Sequence, residues 1–140
     1  MPSPADDVRT TNDQVVRDLF AAGSARDYER FAQFLAEDIE FDLAYTPEML
    51  PMPTRGRDAV RELVENILGG MFDPFRIEVV QTYDGADAEI LVAEYRSDAV
   101  VKHNGNAYRN RYVGIFRIRD GKIVFWREYH DPEQATRALG

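Results

Sequence analysis

The 140-residue sequence contains no cysteine and only two histidines, His103 and His130. The first absence excludes disulfides, thiolate nucleophiles and thiolate metal sites. The second leaves little for a histidine-based metal centre. No loop gathers the several carboxylates that a hard cation needs, so no metal is expected. Positive charge is also scarce: 17 Lys and Arg stand against 25 Asp and Glu, a formal net charge of −8. The non-specific part of nucleic-acid affinity comes from Lys and Arg against phosphate, so no nucleic-acid partner is expected. An anionic membrane surface is disfavoured for the same reason. No apolar run approaches the roughly 18 residues of a spanning helix. The opening MPSPADDVRTTND lacks the basic and apolar regions of a signal peptide, which makes a cytoplasmic location the expectation. The G-x-G-x-x-G, P-loop and G-x-S-x-G motifs are missing too. Phosphoryl transfer, dinucleotide redox chemistry and serine-hydrolase chemistry therefore have no support, and no cofactor is expected.

What is present is an ordinary globular composition, 44% hydrophobic and 30% charged. One domain over 1–140 is expected, with residues 1–10 as a flexible tail. A helix is expected from a cap at Thr11 or Asn12, with Val15, Val16, Leu19 and Phe20 at helical spacing. YERFAQFLAEDI reads as a second amphipathic helix and IEFDLAY as a short strand. TPEMLPMPTRG carries three prolines and reads as an irregular loop. RDAVRELVENILGG is a third helix with Gly69-Gly70 as its stop.

The second half differs. Four β-rich runs, FRIEVVQTYD, AEILVAEYRSDAVV, AYRNRYVGIFRIRD and KIVFWREYHD, are separated by the turn signals DGAD, KHNGN and RDGK. Hairpin links in a row make an antiparallel meander. Helices grouped first and strands later give an α+β class. PEQATRALG reads as a short closing helix.

Side chains alternate along a strand. In the second run, Glu94, Arg96 and Asp98 share one face and Tyr95, Ser97 and Ala99 the other. The charged face is either a solvated face or a pocket wall in which Arg96 keeps flanking carboxylates ionised. In the third run, Tyr108, Asn110, Tyr112, Gly114 and Phe116 form the interior face. Asn110 either lines a polar patch of a small-molecule pocket or is a satisfied core residue. In FWREYHDP, Trp126, Glu128 and His130 alternate with Phe125, Arg127, Tyr129 and Asp131. Both carboxylates face one pocket only if a bulge intervenes. An inward Glu128 has its pKa raised, which suits proton transfer. Asp131 is either a site carboxylate or the cap of the closing helix, with Pro132 at its first position.

The hairpin YRNRYVGIFRIRDGKIVFWREYHDP, with its DGKI turn and REY-x-D end, resembles SnoaL-like proteins of the nuclear transport factor 2-like superfamily. Within that set the sequence is most similar to the ketosteroid-isomerase-related group that includes the phenazine-biosynthesis A/B proteins. The resemblance covers nearly the whole chain and implies a cystatin-like α+β barrel, with three N-terminal helices packed on a curved, mainly antiparallel sheet. It implies Glu128 as the acid/base and a homodimer formed through the outer sheet face. A second likeness, to limonene-1,2-epoxide hydrolase, rests on Arg96 and Asp98 in YRSD and on Asp131, with Tyr45 and Glu48 in place of its loop residues. Taken together, these imply a small cofactor-free enzyme that moves protons as an isomerase, cyclase or dehydratase. Its substrate would be a hydrophobic small metabolite in a conical pocket. Glu128, Asp98, Arg96 and Asp131 are the catalytic candidates. Tyr45, Asn110, Tyr108, Tyr112, Trp126 and His130 are the substrate-binding candidates. Epoxide hydrolysis and non-catalytic ligand binding are the alternatives.

Overall fold

The computed structural model describes residues 3–46 and 50–140. The first helix, α1 (Pro4–Ser24), starts well before its apolar stripe. Ser3 is its N-cap: the Ser3 hydroxyl accepts from the Asp6 amide at 3.2 Å, and the Asp6 carboxylate accepts from the Ser3 amide at 3.3 Å. Pro4 occupies the first helical position. This capping box satisfies two otherwise orphaned donors, and proline there has its φ already set for helix. Residues 4–10 are therefore helix rather than the expected tail. The stripe Val15, Val16, Leu19 and Phe20 is buried as the spacing predicts.

The second helix, α2 (Tyr28–Gln33), is shorter than expected, because β1 (Leu35–Leu43) begins at once. Phe31, Leu35, Ile39 and Phe41 are all buried, and Leu35 already pairs with Ile123. A register irregularity between Leu35 and Glu40 absorbs the intervening residues. The Pro-rich stretch contains the two-residue strand β2 (Thr54–Arg55), antiparallel to β1. It leads through Gly56, at φ 95, into α3 (Arg57–Val64). A π-helical turn, Glu65–Gly69, continues α3. Four strands follow: β3 (Phe72–Asp84), β4 (Ile90–Val101), β5 (Ala107–Arg119) and β6 (Lys122–His130). The helix α4 (Pro132–Leu139) closes the chain.

The six strands form one mixed sheet in the order β2-β1-β6-β5-β4-β3. β3 to β6 are an antiparallel meander, and β1 joins β6 in parallel. The sheet is curved and does not close. Asp120 and Gly121 both take positive φ, 52 and 75, the requirement of a two-residue hairpin turn matched to strand twist. The turn sets the pairs Arg119–Lys122 and Ile118–Ile123, and a register shift that skips Val124 then offsets the two strands from Arg117–Phe125 onward.

Two apolar clusters fill the inner side. The larger holds Phe20, Phe31, Tyr95, Phe116 and Trp126. The smaller holds Phe72, Phe75, Val101, Tyr108 and Ala138 beneath α4. Each fully buried large side chain contributes about 1.5–3 kcal/mol. Leu68 and Ile77 pack against both clusters. The buried Ser97 and Asn110 lie where the two meet, between Tyr112 of the larger and Tyr108 of the smaller, and that seam positions the candidate site.

Candidate active site

Register places the site. Five consecutive pairs, from Phe116 with Trp126 to Tyr112 with His130, run along β5 and β6 without a bulge. Trp126, Glu128 and His130 therefore share the inner face, opposite Phe116, Gly114 and Tyr112. Asp131 falls beyond the strand. Its carboxylate accepts from the Glu133 amide at 3.0 Å and caps α4, with Pro132 at the first helical position.

The Tyr95 hydroxyl donates a hydrogen bond to Glu128 Oε1. Tyr95 is only 2% exposed, and the Trp126 indole N–H donates to its oxygen at 3.4 Å. Indole, phenol and carboxylate thus stand in a row. Tyr95 lies on β4 and Glu128 on β6, so the contact crosses β5. The crossing point is Gly114, which pairs with Ala93 on one side and Glu128 on the other. A Cβ there would stand 2.9 Å from the Tyr95 hydroxyl and 2.7 Å from the Phe116 ring. The missing side chain is what lets the phenol reach the carboxylate.

Burial raises the Glu128 pKa to about 7, against the lowering effect of the Tyr95 hydrogen bond. Tyr95 is pushed well above its ordinary value, first by burial and then by the Glu128 charge. Near neutral pH, Glu128 is populated in both protonation states. Oε1 is held by Tyr95, and no described residue donates to Oε2.

A second polar group lies beside the first. Ser97 Oγ and Tyr112 Oη are 2.8 Å apart, and Tyr112 donates to Tyr108 Oη at 3.1 Å. Asn110 donates from Nδ2 to Tyr108 Oη at 2.8 Å and to the Asp131 carbonyl at 2.9 Å. Its Oδ1 accepts from the Arg111 and Asp131 amides, at 2.8 and 3.3 Å. Both donors and both acceptor positions of Asn110 are occupied within the protein. Asn110 is a satisfied core residue that ties β5 to the start of α4. Burial is the main cause that raises the pKa of Tyr108 and of Tyr112, which keeps both phenols protonated. Tyr112 stacks on Tyr95 with centroids 5.1 Å apart and an interplanar angle of 9°. Trp126 is buried and stacks on Phe116.

Three expected placements differ. Arg96 and Asp98 stand on the outer face and are exposed. Arg96 pairs with Glu78 at 2.8 Å, and Asp98 pairs with Arg109 at 3.5 Å. They are outward because the inward positions of β4 go to Tyr95, Ser97 and Ala99, which build the core. An open cleft of about 1340 Å³ is lined by Arg96, Asp98, Asn110 and Asp131 together, and neither Glu128 nor Tyr95 lines it. Tyr45 is 54% exposed and packs edge-on against Tyr129, whose position alternates with the inward pair Glu128 and His130. Glu48 lies outside the described residues. Arg96, Asp98 and Asp131 therefore meet at that cleft and not on the inward face that carries Glu128.

Tyr95 and Gly114 escaped the sequence reading as site residues. The signal was an inward tyrosine on β4, which needs a hydrogen-bond partner when buried. An inward glutamate lay two strands away with a glycine between them.

A family model described as SnoaL-like domain matches residues 16–126. The uncharacterized protein YesE of Bacillus subtilis is 27% identical over 128 residues, covering 91% of this chain and 86% of that protein. A phenazine biosynthesis-related protein of Pseudomonas aeruginosa superposes with a TM-score of 0.83 at 23% identity, over 99% of this chain and 86% of the other. An LEH-like epoxide hydrolase of Mycobacterium tuberculosis superposes with a TM-score of 0.70 at 20% identity, over 93% and 92% of the two chains. At these identities the two structures share the fold with this chain.

Proposed function

We propose a function from one premise: the chain belongs to the SnoaL-like domain family, with a nuclear transport factor 2-like fold. The protein is an enzyme that moves a proton within a hydrophobic small molecule, in the manner of an isomerase, cyclase or dehydratase. Glu128 is its acid/base. Oε2 removes a proton from a carbon next to a carbonyl, and the electron pair moves into that carbonyl to give an enolate. The protonated Glu128 then returns the proton to another atom of the same molecule, or to a departing hydroxyl. Tyr95 donates to Oε1 throughout and holds the carboxylate in place.

The observation that carries this reading is the poise of Glu128, half-buried, hydrogen-bonded by one phenol and balanced near pH 7. A general base works best when its pKa lies near the operating pH. The second reading, epoxide hydrolysis, has its candidates Arg96, Asp98 and Asp131 in the open cleft, where Arg96 and Asp98 stand in exposed ion pairs and Asp131 caps a helix. Exchange of the α-protons of 2-tetralone and related cyclic ketones in deuterated water, followed by proton NMR, tests the proposal. The wild type should accelerate exchange, and Glu128→Gln should lower the acceleration by about 10²–10⁴. Equal exchange by the two proteins, or no acceleration by the wild type across the panel, overturns it.

A further inference from the structure

The open cleft of about 1340 Å³ collects outward charges from three adjacent strands. Register sets Arg76, Asp98 and Arg109 in one row across β3, β4 and β5, and Glu78, Arg96 and Arg111 in the next outward row. All six line the cleft. Two of the guanidiniums are already paired. Arg96 donates from Nε and Nη2 to Glu78 at 3.1 and 2.8 Å, and Arg109 stands 3.5 Å from Asp98. Arg76 and Arg111 are left over, exposed and lining the cleft. Neither guanidinium has an ion-pair or hydrogen-bond partner among the described residues. Arg76 shares its cross-strand neighbour Asp98 with Arg109, so two cations stand beside one carboxylate. Arg111 stands directly opposite Arg96, and like charges in that position are destabilising. Two further carboxylates lie near Arg111, and both are engaged: Glu94 accepts from the Tyr83 hydroxyl at 2.7 Å, and Asp131 caps α4. In a chain of formal net charge −8, this wall holds more guanidiniums than carboxylates.

We propose that this cleft binds a small organic dianion, with one carboxylate held by Arg76 and the other by Arg111. The two arginines stand at opposite corners of the two rows. Two strand spacings across and two residues along set their Cα atoms roughly 12 Å apart, which calls for a molecule with its acidic groups at opposite ends. Each corner offers one guanidinium, whose planar fork matches the two oxygens of a carboxylate. A phosphoryl group, with a charge of about −1.5 to −2, would be under-neutralised by a single guanidinium. Between the corners lie the pairs of Arg96 with Glu78 and Arg109 with Asp98, whose charges already cancel. The body of the ligand therefore crosses neutralised ground, and a flat body can stack on the guanidinium planes. Once one carboxylate is held, the second meets its arginine at a high effective concentration. Neither Glu128 nor Tyr95 lines the cleft, so this site does not rest on the proposed role of Glu128.

The test is calorimetric titration of the full chain with three probes of one shape: 2,6-naphthalenedicarboxylate, 2-naphthoate and 2-naphthamide. Affinity should fall in that order, with the dicarboxylate about tenfold or more tighter than the monoacid. Arg76→Gln and Arg111→Gln should each bring the dicarboxylate down to within about twofold of 2-naphthoate. Arg55→Gln removes the same charge from β2, at the far edge of the sheet, and should change the dicarboxylate by less than about twofold. In nitrogen NMR of the wild type, the dicarboxylate should move the Nε–H signals of Arg76 and Arg111 and leave that of Arg55 in place. A dicarboxylate that binds no tighter than 2-naphthoate overturns the proposal. So does equal weakening by all three substitutions, which would reduce the effect to net charge. The wild-type series and spectra decide the matter if a variant fails to fold: unmoved Arg76 and Arg111 signals at saturation place the probe elsewhere and overturn the site.

Discussion

The two faces of strands β4 and β5 carry opposite kinds of polarity. Outward stand Arg96, Asp98, Arg109 and Arg111, all exposed; inward stand Tyr95, Ser97, Tyr108, Asn110 and Tyr112, all buried. The outward charges pair across strands with side chains 60–76% exposed. In water such pairs are screened and each ion keeps its own hydration. The inward face holds no formal charge on these two strands, yet it sits against Glu128, whose pKa reaches about 7. Density of charge and chemical poise therefore separate across a single peptide step. A carboxylate is tuned by what it is buried in, not by how many charges lie nearby.

The largest effect should come from pH. The Glu128 pKa in the folded protein, about 7, lies above its ordinary 4.5. The folded state thus holds this proton more tightly than the unfolded state. The stability it contributes is fully present below about pH 4.5 and is lost as pH rises through about 7. The loss is at most about 3 kcal/mol. His130 has its pKa lowered and acts with the opposite sign in part of that window. Urea unfolding of wild type and Glu128→Gln across the window isolates the Glu128 part, because His130 is common to both. The variant should gain on the wild type as pH rises. Parallel curves would mean that Glu128 is solvated like the outer charges.

Next comes the crossing point. Gly114→Ala places a methyl 2.9 Å from the Tyr95 hydroxyl and 2.7 Å from Phe116. Overpacking of that kind costs about 1–3 kcal/mol. It should also push Tyr95 off Glu128, which removes a hydrogen bond that favours the ionised carboxyl. The carboxyl signal of Glu128, followed by carbon NMR, should then titrate at higher pH than in the wild type. A stability loss without that shift would show that Gly114 serves packing alone.

These two tests concern the part of the site that the sequence hid. Alternation on β4, β5 and the outer part of β6 was legible because burial follows a period of two, although a register shift after Ile123 separates that part of β6 from the Asp-Gly turn. Asp131 as a helix cap was legible because Pro132 follows it. The Tyr95–Glu128 contact was not, since it joins strands that are not neighbours and needs two registers and a glycine to coincide. The start of α1 was hidden in a polar segment whose capping box is a local pairing of Ser3 and Asp6. The end of α2 was ambiguous because Phe34 and Leu35 suit a helical face and a strand entry alike. Tyr45 was misplaced for a different reason: it sits just past the end of β1, where no periodicity tells inward from outward.

A smaller effect is expected at Asp131. Its carboxylate meets the Glu133 amide, and Asp131→Ala should cost about 1 kcal/mol in chemical unfolding, the usual value of such a cap. Asp131→Asn should restore it, because asparagine caps as well as aspartate. Ketone exchange should be unchanged in both variants. A fall in exchange with Asp131→Asn, which keeps the cap and removes the charge, would return Asp131 to the site and weaken the contrast with Glu128.

The smallest effect should be on the outer face itself. Arg96→Ala breaks the pair with Glu78, and Asp98→Ala breaks the pair with Arg109. Both pairs are largely exposed, so each broken partner is simply hydrated, and unfolding midpoints should move less than in Asp131→Ala. Ketone exchange should match the wild type in the single and double variants, since neither side chain shares a face with Glu128. The double variant also distinguishes charge from burial at a distance: raising the salt concentration screens the outer charges but reaches Glu128 weakly. If removal of Arg96 and Asp98 moved the Glu128 titration by more than a change in salt does, the two faces would be electrostatically coupled through the sheet. An unmoved titration would leave burial, the Tyr95 phenol and the bare backbone at Gly114 as the features that set it.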